Sequence, residues 1–228
     1  ANTAMTFFAN FAEPEGQIKA EDWVKLSKKH NLPSLTDCSA DTPPPERLFR
    51  YTKMGFDLVA FSGGKGICGP QSAGILLGRK ELIEAAKLNT SPNSDSIARG
   101  MKVNKEEIIG MLVALELFLK RDHAADRREY DKRVKLIQDS VANLPSISFD
   151  VDVPTIANCV PHLKIKWDES KIKISPLDVK KKLLESEPSI EANPSTNKEQ
   201  LVIGVWMMQA GEAQIVAKRV REILKAAV

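Results

Sequence analysis

The stretch DLVAFSGGKGICGPQSAG, residues 57–74, decides how this chain is read. It opens as an apolar strand, Asp57 to Ser62, then sets Lys65 among Gly63, Gly64, Gly66 and Gly69 before a second strand-like run, AGILLG (73–78). GKGICG (64–69) matches G-x-G-x-x-G and follows a strand, as a dinucleotide fingerprint requires. The third glycine of that fingerprint must open a helix whose N-terminus faces the pyrophosphate, whereas Gly69 is followed by Pro70, Gln71 and the next strand. Two strand candidates also precede this one, so it is not the first βα turn of a domain. A P-loop fails as well: Lys65 is followed by Gly66, not Ser or Thr, and position 59 is Val. What remains is a lysine at a strand end, surrounded by residues small enough for a ligand to come close.

Upstream, AMTFFANF (4–11) reads as a buried strand and KAEDWVKLSKKH (19–30) as a helix burying Trp23, Val24 and Leu26. LPSLTD (32–37) is the next strand, and PPERLFRYTKMG (44–55) a helix opened by proline and closed by Gly55. Strands alternating with helices imply an α/β fold, with a mostly parallel sheet flanked by helices. Ligands of such sheets sit beyond the carboxyl ends of the strands, where Asp37 and Ser62 both lie.

Beyond Ser91 and Pro92 the pattern changes. Asn104 followed by Glu107 makes a capping-box start for a helix over 105–120, apolar almost all round and therefore expected to be buried. A highly charged helix follows over 122–143, then NLPSISFDVDVP (143–154) as a hinge. CVPHLKIKWD (159–168), SPLDVKKKLLES (175–186), QLVIGVWMM (200–208) and GEAQIVAKRVREILKAAV (211–228) read as strand, helix, strand and helix. The expected organisation is a large domain over 1–120, a connecting helix over 121–145 and a smaller C-terminal α+β domain over 146–228.

Composition narrows the function. Of 228 residues, 43% are hydrophobic and 28% charged, enough for a large domain and a smaller lobe. No run approaches the roughly eighteen apolar residues of a membrane span, and the first residues lack a secretory signal, so a cytoplasmic protein is expected. Cys38, Cys68 and Cys159 form no C-x-x-C pair and are odd in number, which argues against a disulfide framework or a structural metal. A balance of 33 basic and 30 acidic residues gives no electrostatic case for nucleic acid.

A lysine at position 65 has a plain alternative, a solvent-facing turn residue. Enclosure by apolar strands favours a different reading, because a dry pocket disfavours the ammonium and leaves an amine able to form an imine with a carbonyl. Asp37 ends a neighbouring strand, where an acid is otherwise hard to justify. A lysine for the aldehyde and a carboxylate for the ring nitrogen together suit pyridoxal phosphate.

DLVAFSGGKGICGPQSAGILLGRKELI, with LTDCSA (35–40) upstream and ARGMKVNKEEIIGMLVALELFL (98–119) downstream, resembles the selenocysteine-synthase-like branch of the fold-type-I pyridoxal-phosphate enzymes. That branch includes bacterial L-seryl-tRNA(Sec) selenium transferase and related D-glucosaminate-6-phosphate ammonia-lyases. The resemblance is strongest from about Pro33 to Lys120. It implies a Schiff base on Lys65, a pyridine-nitrogen contact for Asp37, a phosphate contact for Ser62 beside Gly64, and a ring contact for Ser39, which shares Asp37's side of the strand by period two. Arg99 matches a basic position and would clamp a substrate carboxylate or phosphate; an arginine in a solvated loop ahead of Asn104 is the competing reading. Gln71 is open between the cofactor phosphate and a subunit contact.

The resemblance further implies a homo-oligomer and a small-molecule substrate, an amino acid or amino-sugar acid. A pyridoxal-phosphate-dependent lyase most like the ammonia-lyases is expected, with Lys65 as the general base at Cα. A selenium-transferase activity is the alternative; it needs a tRNA-binding module, and the basic run from 164 to 182 alternates with acids and apolar residues as a solvated face does, so tRNA is not an expected partner. Family members carry a further N-terminal stretch that cups the phosphate and stacks on the ring. That part is expected to be absent here, which leaves a non-catalytic subunit or fragment as a third reading.

Overall fold

The computed structural model describes residues 2–192 and 199–228. Two compact units emerge: one holds the residues up to Arg121 together with Thr155–Cys159, the other Asp122–Pro154 and Val160–Val228.

In the first unit, β1 (Thr6–Ala9), β2 (Ser34–Asp37) and β3 (Leu58–Ser62) pair in parallel, and β4 (Gly74–Gly78) pairs antiparallel with β3, giving the order β1-β2-β3-β4. The sheet is mostly parallel because α1 (Ala20–Lys29) and α2 (Arg50–Met54) carry the chain back between its first three strands, whereas β3 returns directly into β4. Strand alternation sends Phe8, Thr36, Val59 and Phe61 into the core. There Phe8 meets Trp23 of α1 and Phe56 at ring separations of 5.7 and 5.8 Å, and Tyr51 of α2 closes the cluster against Phe56 at 5.9 Å. Asp57 holds the entry to β3: its Oδ2 accepts from the Ser34 amide at 2.9 Å and its Oδ1 from Arg79 at 3.0 Å. Burial works against this carboxylate, yet the Ser34 and Arg79 hydrogen bonds outweigh it and hold the group below the usual range.

Several expectations are corrected. Leu26 faces solvent; Ala20, Val24 and Ser27 form the buried stripe of α1, spaced by three and four as one helix face requires. The segment expected as one helix over 44–55 is a 3₁₀ turn (Pro45–Phe49) followed by the short α2, with Gly55 at φ 112° ending it. α3 (Lys80–Leu88) adds a helix not expected from the sequence. α4 (Lys105–Lys120) begins at the expected capping box, with Glu107 Oε2 accepting from the Asn104 amide at 3.0 Å, but it is not a buried helix. Only Met111 and Phe118 are fully buried, because α4 has apolar residues on faces that no described element covers.

In the second unit, β5 (Ser148–Asp152), β6 (His162–Lys166) and β7 (Leu201–Gly204) make an antiparallel sheet with β6 in the centre. The segment read as a hinge thus contains β5, whose residues pair with β6 from Ser148↔Lys166 to Asp152↔His162. The helices are α5 (His123–Val141), α6 (Pro176–Leu184) and α7 (Glu212–Lys225). Asp122 caps α5 by accepting from the Ala125 amide at 2.9 Å, and Ser175 caps α6 through the Asp178 amide at 3.1 Å. Leu163 and Ile165 of β6 pack in one core with Ile137 of α5, Leu183 of α6 and Val220 of α7. No helix among the described residues is long and apolar enough to cross a membrane.

Leu163 is fully buried at the centre of its sheet. Leu163→Ala should destabilise the second unit by about 2–5 kcal/mol through lost transfer energy and a residual cavity. Urea unfolding followed by fluorescence, with Trp167 and Trp206 packed against this core as reporters, measures it.

Candidate active site

The site is built where β2 and β3 end. β2 and β3 pair so that Asp37 lies opposite Ala60, and Ser62 stands two residues further along the same face of the neighbouring strand. Beyond Ser62, residues 63–73 form a loop closed on itself: the Gly63 amide donates to the Ala73 carbonyl at 2.9 Å, the Gly69 amide to the Gly63 carbonyl at 2.7 Å, and the Cys68 amide to the Lys65 carbonyl at 2.9 Å. Gln71 Nε2 donates to the Gly64 carbonyl at 3.1 Å. Gln71 is therefore part of the loop's own scaffold.

Gly66 is where this loop meets the one that follows β2. A Cβ there would collide with the Thr42 carbonyl oxygen and stand 3.1 Å from Pro43 Cδ. Gly63 is confined in the same way between Met111 of α4 and the Ala73 carbonyl. The glycines thus serve close backbone approach between protein segments.

The β2 loop is fixed with equal care. Asp37 Oδ1 accepts from the Ser39 amide at 2.8 Å and also from the Ser39 hydroxyl, which leaves Oδ2 without a hydrogen bond among the described residues. Ser39 lies past the last residue of β2, so period two no longer governs its direction and the chain bends back onto Asp37 as an Asx-type turn. The Cys38 amide donates to the Ala60 carbonyl at 2.9 Å, keeping the loop against β3. Cys38 itself is fully buried, and burial pushes its thiol up to about 12, which makes it an inert filler.

Asp41 holds the far end of this loop. Its side chain is fully buried; Oδ1 accepts from the Ala157 amide at 2.9 Å and from Arg47 Nη1 at 3.2 Å, while Oδ2 has no partner among the described residues. Arg47 also donates to the Thr155 carbonyl at 2.7 Å, and the Asn158 amide to the Ala40 carbonyl at 2.8 Å. The short Thr155–Cys159 segment is thereby stitched to the loop that carries Asp37. Sequence reasoning missed Asp41 and Arg47 because the Ala157 partner lies 116 residues away and no local pattern marks the pairing.

Lys65 is exposed, and its side chain makes no hydrogen bond or ion pair among the described residues. The enclosure expected for it is not found: the last ladder pair of β3 and β4 is Ser62↔Gly74, so the flanking strands end before Lys65 is reached. Asp37, Ser39, Ser62, Gly64 and Lys65 thus lie on two adjoining strand-end loops. Arg99 stands apart in a 3₁₀ turn (Arg99–Met101), exposed and hydrogen-bonded through its amide to Ser96, with no bond to the others.

Comparison with known proteins agrees with this architecture. The model of a family described as L-seryl-tRNA selenium transferase matches residues 11–147. D-glucosaminate-6-phosphate ammonia lyase of Salmonella typhimurium is 26% identical over 214 residues, which cover 92% of this chain and 53% of that protein. L-seryl-tRNA(Sec) selenium transferase of Aquifex aeolicus is 28% identical over 158 residues, 59% of this chain and 32% of that one. A solved D-glucosaminate-6-phosphate ammonia-lyase superposes with a TM-score of 0.73 at 22% identity, covering 99% of this chain and 58% of its own. The chain carries part of the fold-type-I architecture and spans about half the length, or less, of the curated relatives it matches.

Two expectations test the loop scaffold. Gly66→Ala should force the two strand-end loops apart and lower stability by about 1–3 kcal/mol, as overpacking does, measured by urea unfolding. Burial, partly offset by the Ala157 amide and Arg47, holds the Asp41 carboxyl above its ordinary range. The folded chain therefore keeps this proton to higher pH than the unfolded one, and stability falls as pH rises from about 4 through the folded value. In Asp41→Asn that contribution vanishes, so unfolding midpoints should shift in the variant's favour between about pH 4 and pH 7; parallel curves would show that Asp41 carries none of the slope.

Proposed function

Because this chain belongs to the L-seryl-tRNA selenium transferase family, we propose that its strand-end loops hold pyridoxal phosphate and that the complete protein is a pyridoxal-phosphate-dependent lyase acting on an amino acid or amino-sugar acid. The observation that carries the reading is the pairing of two scaffolded loops, one presenting the unpartnered amine of Lys65 and the other the free Oδ2 of Asp37. The fit to the cofactor is chemical: an amine for its aldehyde, a carboxylate for its ring nitrogen, and the Ser62 hydroxyl near the glycine-rich turn for its phosphate.

When bound, pyridoxal phosphate supplies the aldehyde that captures an amine and the electron sink that makes Cα acidic. The residues of the chain do the rest. Lys65 Nζ would be the amine that anchors the group and would serve as the general base that takes a proton from Cα. Asp37 Oδ2 would be the acceptor for the ring nitrogen's proton and would hold it there, while Ser39 pins Oδ1 and so fixes the carboxylate plane. An overall loss of water from Cα and Cβ, followed by hydrolysis of the resulting imine, would give a 2-keto acid and ammonia. Arg99 is proposed as a contact for the substrate's anionic end.

The ammonia-lyase reading is preferred to the selenium transferase because the ammonia-lyase match extends over 92% of the chain, against 59% for the transferase. A cytoplasmic homo-oligomer is proposed on the same footing.

Borohydride reduction of the full-length protein with pyridoxal phosphate, followed by peptide mass spectrometry, should place the label on Lys65. Lys65→Ala should lose the label and the visible-wavelength band, while Asp37→Asn should keep the label and lose activity by about a hundredfold or more. A label on another lysine would overturn the assignment.

A further inference from the structure

The chain turns sharply just after Asp37. The Asp41 amide donates to the Cys38 carbonyl at 3.0 Å, closing a turn with Ser39 and Ala40 at its centre. Ser39 is the residue that pins Asp37 Oδ1. On one side of it the Cys38 amide is tied to β3; on the other, the Ala40 carbonyl accepts from the Asn158 amide, and the Asp41 side chain from the Ala157 amide and Arg47.

The segment that supplies those two amides is itself strained. Ala157 and Asn158 have φ of 52° and 47°, left-handed values that alanine in particular rarely takes. Arg47 and Arg50 hold the segment's near end, both donating to the Thr155 carbonyl, at 2.7 and 3.4 Å. Strain of this kind persists only where the surroundings over-determine it, and it gathers at functional sites. Stability gives no reason for it here. Asp41 Oδ2 and the neighbouring Thr42 hydroxyl are buried without a hydrogen-bond partner among the described residues, a burden that apolar side chains would avoid.

We infer that Asp41 is a positioning residue for Asp37: together with residues 155–159 it holds the turn in the conformation in which Ser39 occupies Oδ1, so that Oδ2 is the oxygen left to accept from the ring nitrogen. The two oxygens of a carboxylate are chemically equivalent, and one exposed hydrogen bond contributes little in water. A loop without the second anchor would let the carboxylate rotate and exchange them. For the ring nitrogen this inference rests on the cofactor reading above; for the hold on Ser39 it does not.

Hydrogen–deuterium exchange of the full-length protein, read at single amides by electron-transfer fragmentation, tests the hold without any cofactor. Asp41→Ala should speed exchange at the Ser39 amide by about tenfold or more, while the amide of Val59, in the buried β3, keeps its rate. Asp41→Asn retains an oxygen for the Ala157 amide and should restore most of the protection. Should Asp41→Ala not fold, Arg47→Met, which removes the guanidinium from the same anchor, should speed Ser39 in its place. An unchanged Ser39 rate in a folded variant, or Ser39 and Val59 accelerating together, would overturn the inference. With pyridoxal phosphate added, the pH midpoint of the visible-wavelength band should move by about one unit in Asp41→Ala and return in Asp41→Asn. A band that does not move although Ser39 exchanges faster would overturn the link to the ring nitrogen. No band in the unmutated protein would overturn the cofactor reading and that link with it, while the exchange rates still decide the hold on Asp37.

Discussion

The contact on which the site depends is backbone against backbone: Gly66, in the loop after β3, lies on the Thr42 carbonyl, in the loop after β2. Parallel strands end side by side, but their connecting loops normally diverge as the chain turns away into the next element. Here a missing side chain lets the two loops touch, and Asp41, next to Thr42, anchors one of them from below. Lys65 and Asp37 belong to different strands, and the geometry between them rests on this van der Waals contact together with the Cys38–Ala60 hydrogen bond that keeps the β2 loop against β3.

Electrostatics plays the complementary part. Asp57 and Asp41 are both carboxylates held by arginine and backbone amides, and they move in opposite directions. At Asp57 the hydrogen bonds outweigh burial and the acid is stabilised as an anion at the entry to β3. At Asp41 burial outweighs the Ala157 amide and Arg47, and its Oδ2 has no partner among the described residues. The ion pair with Arg47 is thus less a source of stability than a means of specifying which loop packs on which.

Much of the architecture was legible in the sequence because it rests on local periodicity. The run from Leu58 to Ser62, the capping box at Asn104 and the glycine stop at Gly55 are visible within a few residues, and each forms where expected. The failures are tertiary. Nothing within α4 says that its apolar residues outnumber the neighbours able to cover them, nor does anything near Asp41 announce Ala157. Lys65 was legible as a position but not as an environment: glycines on either side signal close approach, and what approaches Gly66 is the protein's own Thr42 carbonyl. β5 escaped notice for a related reason, since Phe149 and Val151 make too short an alternation to stand out until β6 supplies the partner.

The path of the chain has a consequence for heredity. The backbone passes from one unit to the other at Arg121, returns at Thr155 and leaves again after Cys159. A gene rearrangement that exchanged everything after residue 121 would carry Ala157 and Asn158 away with the incoming piece, stripping Asp41 and Ala40 of the amides they evolved with. Units linked in this way cannot be shuffled as beads on a string. What the loop bearing Asp37 requires of residues 155–159 is a backbone path that presents two amides, a demand on conformation and not on side-chain identity.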